Sequence, residues 1–206
     1  MNTIESYEPQ EEIGMQGLEI IYQLFTNPIL CMQKLPNTTA GSYAALIIIL
    51  SGISVAVAEF ILLGANSPSI IKFFLPLWLV LSVIGIAGVW FISGAIFHLV
   101  AEWLNGQGKA SVLLIALGLS LAPNMLTVPA ILVSYACGDL SFFVYFFCKL
   151  LIIIWIFKLQ VISIREVYRI STFKALLVFG SPSIIIAGIL LAVMIMICVA
   201  LSMAGS

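Results

Sequence analysis

The stretch Ser42–Gly64, SYAALIIILSGISVAVAEFILLG, decides the fold, because it is almost wholly apolar and Glu59 is its one charged residue. About twenty apolar residues in succession are enough for an α-helix to cross a bilayer. Four further stretches of this kind follow, at 73–99, 112–135, 140–162 and 175–202. The sequence therefore predicts an all-α, polytopic membrane protein with five transmembrane helices.

The composition of the whole chain points the same way. Of its 206 residues, 63% are hydrophobic and 8% are charged, whereas a soluble domain is nearer half apolar and a quarter charged. Lipid must cover the surplus apolar surface, so the bilayer is the first predicted partner. The net charge of −1 offers no basic field for nucleic acid. We expect three segments: an acidic polar tail at 1–16, an interfacial amphipathic helical segment at 17–37 and a five-helix transmembrane domain at 38–206.

The interfacial segment is predicted from spacing. Ile21, Leu24 and Phe25 recur at helical intervals. Asn27 and Pro28 then end this helix and begin another, with Asn27 as the N-cap and Pro28 in the first turn. We expect both helices to lie on the membrane surface. The alternative is that they pack under the bundle.

The positions of the cations predict the orientation. Short loops on the cytoplasmic side of a membrane carry an excess of Lys and Arg. Only Lys72 lies in the loops on the side opposite the N-terminus, and six cations lie on or near the N-terminal side: Lys34, Lys109, Lys158, Arg165, Arg169 and Lys174. We therefore expect a multi-pass protein of the cell membrane with its N-terminus in the cytoplasm and its C-terminus outside.

Two charged residues fall inside predicted spans. A charge at bilayer depth costs roughly 2.5–3.5 kcal/mol on insertion scales, so it needs a partner or water. Glu59 lies near the outer end of span one and Lys149 lies inside the outer half of span four. We predict an intramembrane Glu59–Lys149 pair. It is a polar site for a headgroup or an ion, or a structural salt bridge, or two side chains that snorkel separately.

Three further groups of residues are candidate sites. His98 and Glu102 are four residues apart and share a helical face, and Lys158 is expected at a similar depth on span four. This cluster is predicted to hold spans two and four together rather than to bind a metal. Span three contains Pro123, Asn124 and Pro129, and its prolines interrupt the helical hydrogen bonds. They form a hinge or the wall of a cavity, or simply a packed kink, and Asn124 could bond the freed carbonyl groups.

The third group lies between spans four and five, where the sequence predicts the longest polar connection. Arg165, Arg169 and Lys174 could contact lipid headgroups or a partner protein. Ordinary cytoplasmic enrichment of cations explains them equally well. Neither a nucleophilic motif nor a set of metal ligands is recognisable, and none of the four cysteines forms a CxxC pair. We therefore expect no enzymatic activity and no cofactor.

The order of several motifs resembles the Yip1 family of five-span membrane proteins, specifically its prokaryotic branch. The motifs are Phe25–Pro28, His98–Glu102, Asn105–Gly108, Leu121–Leu126, Trp155 and Ile164–Leu176. Eukaryotic members bind Rab GTPases, but their DLYGP-like and GY-bearing signatures are missing here, so Rab binding is not implied. Some prokaryotic members accompany ABC-type exporters as accessory membrane subunits. The resemblance implies a non-enzymatic bundle that acts on partners or on the bilayer.

Two functions therefore remain open. The first is an accessory or scaffolding subunit of a membrane complex, such as an ABC-type exporter, in contact with other membrane subunits or with copies of itself. The second is a transporter or lipid-translocating protein that uses a polar site in the bundle. A membrane enzyme is a third and weaker reading, because no catalytic group is recognisable.

Overall fold

The computed structural model describes residues 17–35, 40–64 and 73–204, and most of these residues are helical with no β-strand among them. The helices are α1 (Gly17–Thr26), α2 (Pro28–Lys34), α3 (Gly41–Gly64), α4 (Leu75–Trp103), α5 (Ala110–Leu119), α6 (Thr127–Ala136), α7 (Ser141–Tyr168) and α8 (Thr172–Ala204). Short 3₁₀ turns at Ala122–Leu126 and Gly138–Leu140 precede α6 and α7. The predicted all-α class is confirmed.

Five segments are long and apolar enough to cross a membrane: Gly41–Leu62, Pro76–Trp103, Ala110–Ala136, Gly138–Tyr168 and Thr172–Ile197. These confirm the five predicted spans. Spans one and three are the most buried, and α3 contacts α4, α5, the first 3₁₀ turn and α6. Spans two, four and five expose most of their apolar surface. The bundle is therefore built around spans one and three.

Two glycines bring the central helices close together. A Cβ atom at Gly52 would lie 3.1 Å from Val83 on α4, and one at Gly118 would lie 3.1 Å from Ala44 on α3. Small residues at such positions let helix backbones approach in a membrane, where packing replaces the hydrophobic effect as the driving force. The glycines of these small-residue pairs thus serve packing within the bundle.

The fourth span is longer than its apolar run suggests. The sequence predicts a helix ending at Ile162 and a polar connection up to Lys174, but α7 continues to Tyr168. Ser163, Ile164 and Tyr168 are buried on its inner face, so packing extends the helix beyond the apolar run. Arg169 ends it in the left-handed conformation, with φ 54°. Only three residues, 169–171, connect α7 to α8, and the prediction of a long polar connection was wrong.

The surface helices α1 and α2 pack under the bundle. Their inward faces bury Ile20, Leu24, Cys31 and Met32 in a cluster that also contains residues of α3, α5 and α7. Of the two interpretations of this segment, the one in which the helices pack under the bundle therefore describes the structure. Asn27 is the N-cap of α2 and Pro28 is in its first turn, as predicted. The acidic tail at 1–16 and Lys72 lie outside the described residues.

Candidate functional site

The end of the bundle where α3, α5 and α8 begin, and where α4 and α7 end, is called here the basic end. Its geometry depends on the loop between α4 and α5, which lies flat against the end of α7. The backbone N–H of Gln107 donates to the carbonyl of Tyr168 at 3.3 Å. A Cβ atom at Gly106 or Gly108 would lie 2.8 Å from the Tyr168 ring. Only glycine fits at these two positions, and the loop therefore passes directly beside Tyr168.

Tyr168 is the centre of the basic end. Only 1% of its surface is exposed, and its hydroxyl lies 2.6 Å from Nδ1 of His98 on α4. Nε2 of His98 lies 3.5 Å from Oε1 of Glu102, as expected for residues four apart on one helix. This chain of contacts joins span two to span four.

Lys158 takes no part in that cluster. Its side chain is exposed and has no hydrogen bond or ion pair with the described residues. Ten residues separate it from Tyr168 on the same helix, which is about 15 Å at 1.5 Å per residue. Tyr168, which the sequence reasoning missed, supplies the contact expected of Lys158. No group of three metal-ligating side chains occurs in the ranges that the structure describes.

Two of the three cations predicted to contact lipid or a partner already have partners within the protein. Arg165 forms an ion pair with Glu166 at 2.6 Å. Lys174 donates from Nζ to the carbonyl of Leu104 at 3.1 Å. The second oxygen of Glu166 accepts from Nε2 of Gln33 on α2 at 2.8 Å, so this carboxylate ties the surface helix to the end of span four.

Beside these contacts lies a polar cleft of about 730 Å³, here called the basic-end cleft. It is lined by Met32, Gln33, Gln107, Gly108, Lys109, Val112, Glu166, Val167 and Arg169. The side chains of Lys109 and Arg169 are exposed, and among the described residues neither has a hydrogen bond or ion pair. The cleft therefore presents two unpaired cations beside a carboxylate that is already paired.

The opposite end of the bundle, where α3 and α6 end and α4 and α7 begin, is called the outer end. Glu59 accepts a hydrogen bond from Nε1 of Trp78 at 3.3 Å. Lys149 donates to the Thr127 hydroxyl at 3.5 Å. Glu59 acts electrostatically on Lys149 and on Tyr145, but no ion pair joins Glu59 to Lys149 within 4.0 Å. The two charges lie in one region, but the structure gives each its own hydrogen-bond partner and does not bring them into direct contact.

Span three is broken between α5 and α6, and two serines of span one bond its carbonyl groups. Ser51 donates to the carbonyl of Leu121 at 2.9 Å, and Ser54 donates to that of Met125 at 3.1 Å. Met125 lies four residues before Pro129, so its carbonyl is the one that this proline leaves without a helical donor. Non-helical backbone survives at membrane depth only when such groups find partners in the protein. The side chain of Asn124 makes no hydrogen bond to the described residues, so the serines, not Asn124, supply these bonds.

Asn124 instead lines a cavity of about 390 Å³ between spans two, three, four and five. Most of the lining is apolar, and the polar side chains that reach it are Ser93, Asn124, Gln160 and Ser183. Pro123 is buried in the 3₁₀ turn beside it. The break in span three therefore borders a partly polar space between the spans, apart from Glu59 and Lys149.

Comparison with known proteins identifies the family. The model of a family described as the Yip1 domain matches residues 22–195, most of the chain. The matched range contains both ends of the bundle and the break in span three. No curated protein and no solved structure matches.

Proposed function

This chain belongs to the Yip1 family, and from that premise we propose that it is a non-enzymatic accessory or scaffolding subunit of a membrane complex, such as an ABC-type exporter. It is a multi-pass membrane protein. The observation that carries the proposal is that α1 and α2, here called the N-terminal platform, pack against the bundle at the basic end.

The platform is fixed on one side and open on the other. Its inner face is buried against the bundle, and the Gln33–Glu166 hydrogen bond ties α2 to α7. Phe25 also packs edge-on against Trp155 of α7, with ring centroids 5.1 Å apart. The outer face exposes Tyr22 and Leu30. A surface that is already ordered loses little conformational entropy when a partner binds, which favours association.

The orientation is part of the proposal. We place the basic end in the cytoplasm, because cations of the short loops and helix ends gather there. The described members of this set are Lys34, Lys109, Arg165, Arg169 and Lys174. The platform would then face cytoplasmic or membrane-embedded subunits of the complex.

Site-specific photo-crosslinking in the native membrane tests the proposal. A benzophenone amino acid replaces Tyr22 on the platform, or Phe143 near the start of α7 as a matched control. The two side chains are 69% and 67% exposed. We expect a discrete protein adduct from position 22, identified by mass spectrometry as a subunit of a membrane complex, and only lipid adducts from position 143. From position 22, adducts at twice the monomer mass with no other protein adduct, or lipid adducts alone, would overturn the accessory role.

The intramembrane cavity favours one second candidate, a transporter or lipid-translocating protein. Polar groups beside a broken span are the arrangement in which transporters bind substrate. A Cβ atom at Gly85 would meet no atom within 4 Å, and Gly85 lines the cavity. Gly85→Phe can therefore fill the space without a clash of its Cβ atom.

Liposome flux and lipid-scrambling assays separate this candidate from the first. If the cavity is a pathway, Gly85→Phe abolishes the activity. Gly88→Phe, on the same helix, has equally open surroundings but does not line the cavity, so it should leave the activity unchanged. No activity in the parent protein, or equal activity in both variants, removes the second candidate.

A further inference from the structure

The basic-end cleft contains charges that the fold itself does not use. The sequence predicts that Arg165, Arg169 and Lys174 could contact lipid headgroups or a partner protein. In the structure, two of these cations have partners within the protein and one does not. Arg165 and Lys174 are bound to Glu166 and to the Leu104 carbonyl. Arg169 remains unpaired among the described residues, and Lys109 joins it in the cleft. The pair that is free to bind a ligand is thus Lys109 and Arg169.

Backbone packing places these two residues together. The loop from Gly106 to Gly108 lies against Tyr168, and a Cβ atom at Gly108 would be 2.8 Å from the carbonyl oxygen of Val167. Lys109 directly follows this contact, and Arg169 directly follows Tyr168. Because the contact is between backbones, it fixes the bases of both side chains on one wall of the cleft.

The local electrostatics favour an anion. Helix α5 begins at Ala110, directly after Lys109, and no side chain caps its N-terminus. Its first N–H groups are therefore available as donors, at the end of the helix dipole that attracts negative charge. Glu166 is the one carboxylate in the lining, and Arg165 and Gln33 already occupy its oxygens. The unpaired charge in the cleft is positive.

We propose that the basic-end cleft binds a phosphate monoester through Lys109 and Arg169. A phosphate offers three acceptor oxygens and a charge between about −1.5 and −2. Arg can bind it with two parallel hydrogen bonds, and Lys adds a point charge. The cleft, at about 730 Å³, has room for the group that carries the phosphate. This site goes beyond the scaffolding function and does not depend on it.

The phosphate can belong to an anionic lipid headgroup or to a soluble metabolite. Exposed apolar side chains flank the basic end, including Leu30, Trp103 and Phe173, so a lipid headgroup could enter the cleft while its chains stay in the bilayer. The chemistry of recognition is the same for both sources, and the experiment distinguishes them.

The experiment is native mass spectrometry of the full-length protein in mild detergent, titrated with phosphatidic acid or with phosphatidylcholine. The test variant combines Lys109→Gln with Arg169→Gly, because glycine accepts the φ of 54° at this position. Lys34→Gln is the matched control, since it removes an exposed cation at the same end that does not line the cleft. We expect preferential binding of phosphatidic acid, weakened about fivefold by the loss of each cation and about 25-fold by the loss of both. Lys34→Gln should change the affinity less than twofold.

Competition with soluble phosphates identifies whether the bound phosphate belongs to a lipid or to a metabolite. Displacement of phosphatidic acid by millimolar inorganic phosphate or glycerol 3-phosphate indicates a soluble ligand, and no displacement indicates a lipid headgroup. Binding of phosphatidic acid by the double variant within twofold of the parent, or equal binding of both lipids by the parent, overturns the proposal. If the double variant is unstable, Lys109→Arg and Lys109→Gln are compared instead. Lys109→Arg should keep the affinity for phosphatidic acid and Lys109→Gln should weaken it. Equal losses of affinity in both variants would refute the site.

Discussion

The two ends of the bundle hold their polar groups in different ways. At the basic end, backbones touch: the loop at Gly106–Gly108 lies against Tyr168, and three polar contacts there are as short as 2.6–2.8 Å, although others reach 3.1–3.5 Å. At the outer end, long side chains reach across gaps, with contacts of 3.3 Å from Trp78 to Glu59 and 3.5 Å from Lys149 to Thr127. A group fixed by backbone packing keeps its position, whereas a long side chain can change its partner. The basic end is therefore suited to a specific site, and the outer end to adaptable charges.

The largest expected difference between the ends is in cysteine reactivity. Cys31 of the platform is fully buried, and burial raises the pKa of its thiol from 9.0 to about 11. Since the thiolate is the reactive form, Cys31 should react about 100-fold more slowly at pH 8 than a thiol of ordinary pKa, and steric protection slows it further. Cys137 at the outer end is exposed. In single-cysteine variants solubilised in detergent, where a maleimide reaches both ends, the reagent should label Cys137 and not Cys31.

The raised pKa of Cys31 also makes the stability of the folded protein depend on pH in a definite direction. A folded-state pKa above the unfolded value means that the folded state holds the proton more tightly, so this contribution to stability is complete below pH 9 and is lost as the pH rises through 11. Labelling of Cys31 should therefore appear only on denaturation or above about pH 10. Rapid labelling of Cys31 at pH 8 in the native protein would show that the platform is not packed as described. In intact cells, labelling of Cys137 by a membrane-impermeant maleimide also tests the predicted orientation.

The next largest effect is expected from Gly108→Ala. The added Cβ would lie 2.8 Å from both the Tyr168 ring and the Val167 carbonyl. Because the Val167 carbonyl is part of the helix backbone, it cannot move aside as the end of a flexible side chain can. Overpacking of this kind costs about 1–3 kcal/mol. Gly88→Ala is the control, because its Cβ would meet nothing within 4 Å and alanine favours the helix by about 0.5–1 kcal/mol. In detergent, Gly108→Ala should lower the melting temperature of the protein and Gly88→Ala should raise it. Equal melting temperatures for the two variants would contradict the tight packing of the loop.

The contrast between the ends also explains what the sequence could predict. The five spans follow from the length of the apolar runs, and the Asn27–Pro28 helix start follows from local capping chemistry. Both depend on neighbours in sequence. The end of α7 could not be found in this way, because burial of Ser163, Ile164 and Tyr168 extends the helix past its apolar run.

The site residues needed long-range information. Depth in the membrane favours Lys158 as the partner of His98, but depth says nothing of lateral position, and His98 in fact contacts Tyr168, which lies 70 residues away in sequence. The glycines at 106 and 108 were the available signal that a large side chain packs there. Ser51 and Ser54, three residues apart in an apolar span, were a signal for the donors that span three requires.

A smaller effect is expected from Tyr168→Phe, which removes the 2.6 Å contact with His98 but keeps the ring. A hydrogen bond of this kind contributes about 0.5–1.5 kcal/mol. Tyr135→Phe is the matched change at the outer end, where the hydroxyl donates to the Ile61 carbonyl at 3.1 Å and the residue is exposed. Water can replace that bond, so its loss should cost less than about 0.5 kcal/mol. Equal costs at the two ends, measured by thermal unfolding, would remove the distinction between them.

The smallest expected effect is the coupling between Glu59 and Lys149. Each charge has its own hydrogen-bond partner, and the two interact only across a gap longer than 4.0 Å. A double-mutant cycle with Glu59→Gln and Lys149→Met should therefore give a coupling energy below about 0.5 kcal/mol. The Arg165–Glu166 pair, in contact at 2.6 Å with Glu166 only 14% exposed, should exceed 1 kcal/mol in the same assay, as hydrogen bonds between charged groups do. A coupling above about 1 kcal/mol for Glu59 and Lys149 would mean that they form a direct pair in the bilayer, and the outer end would then be as specifically built as the basic end.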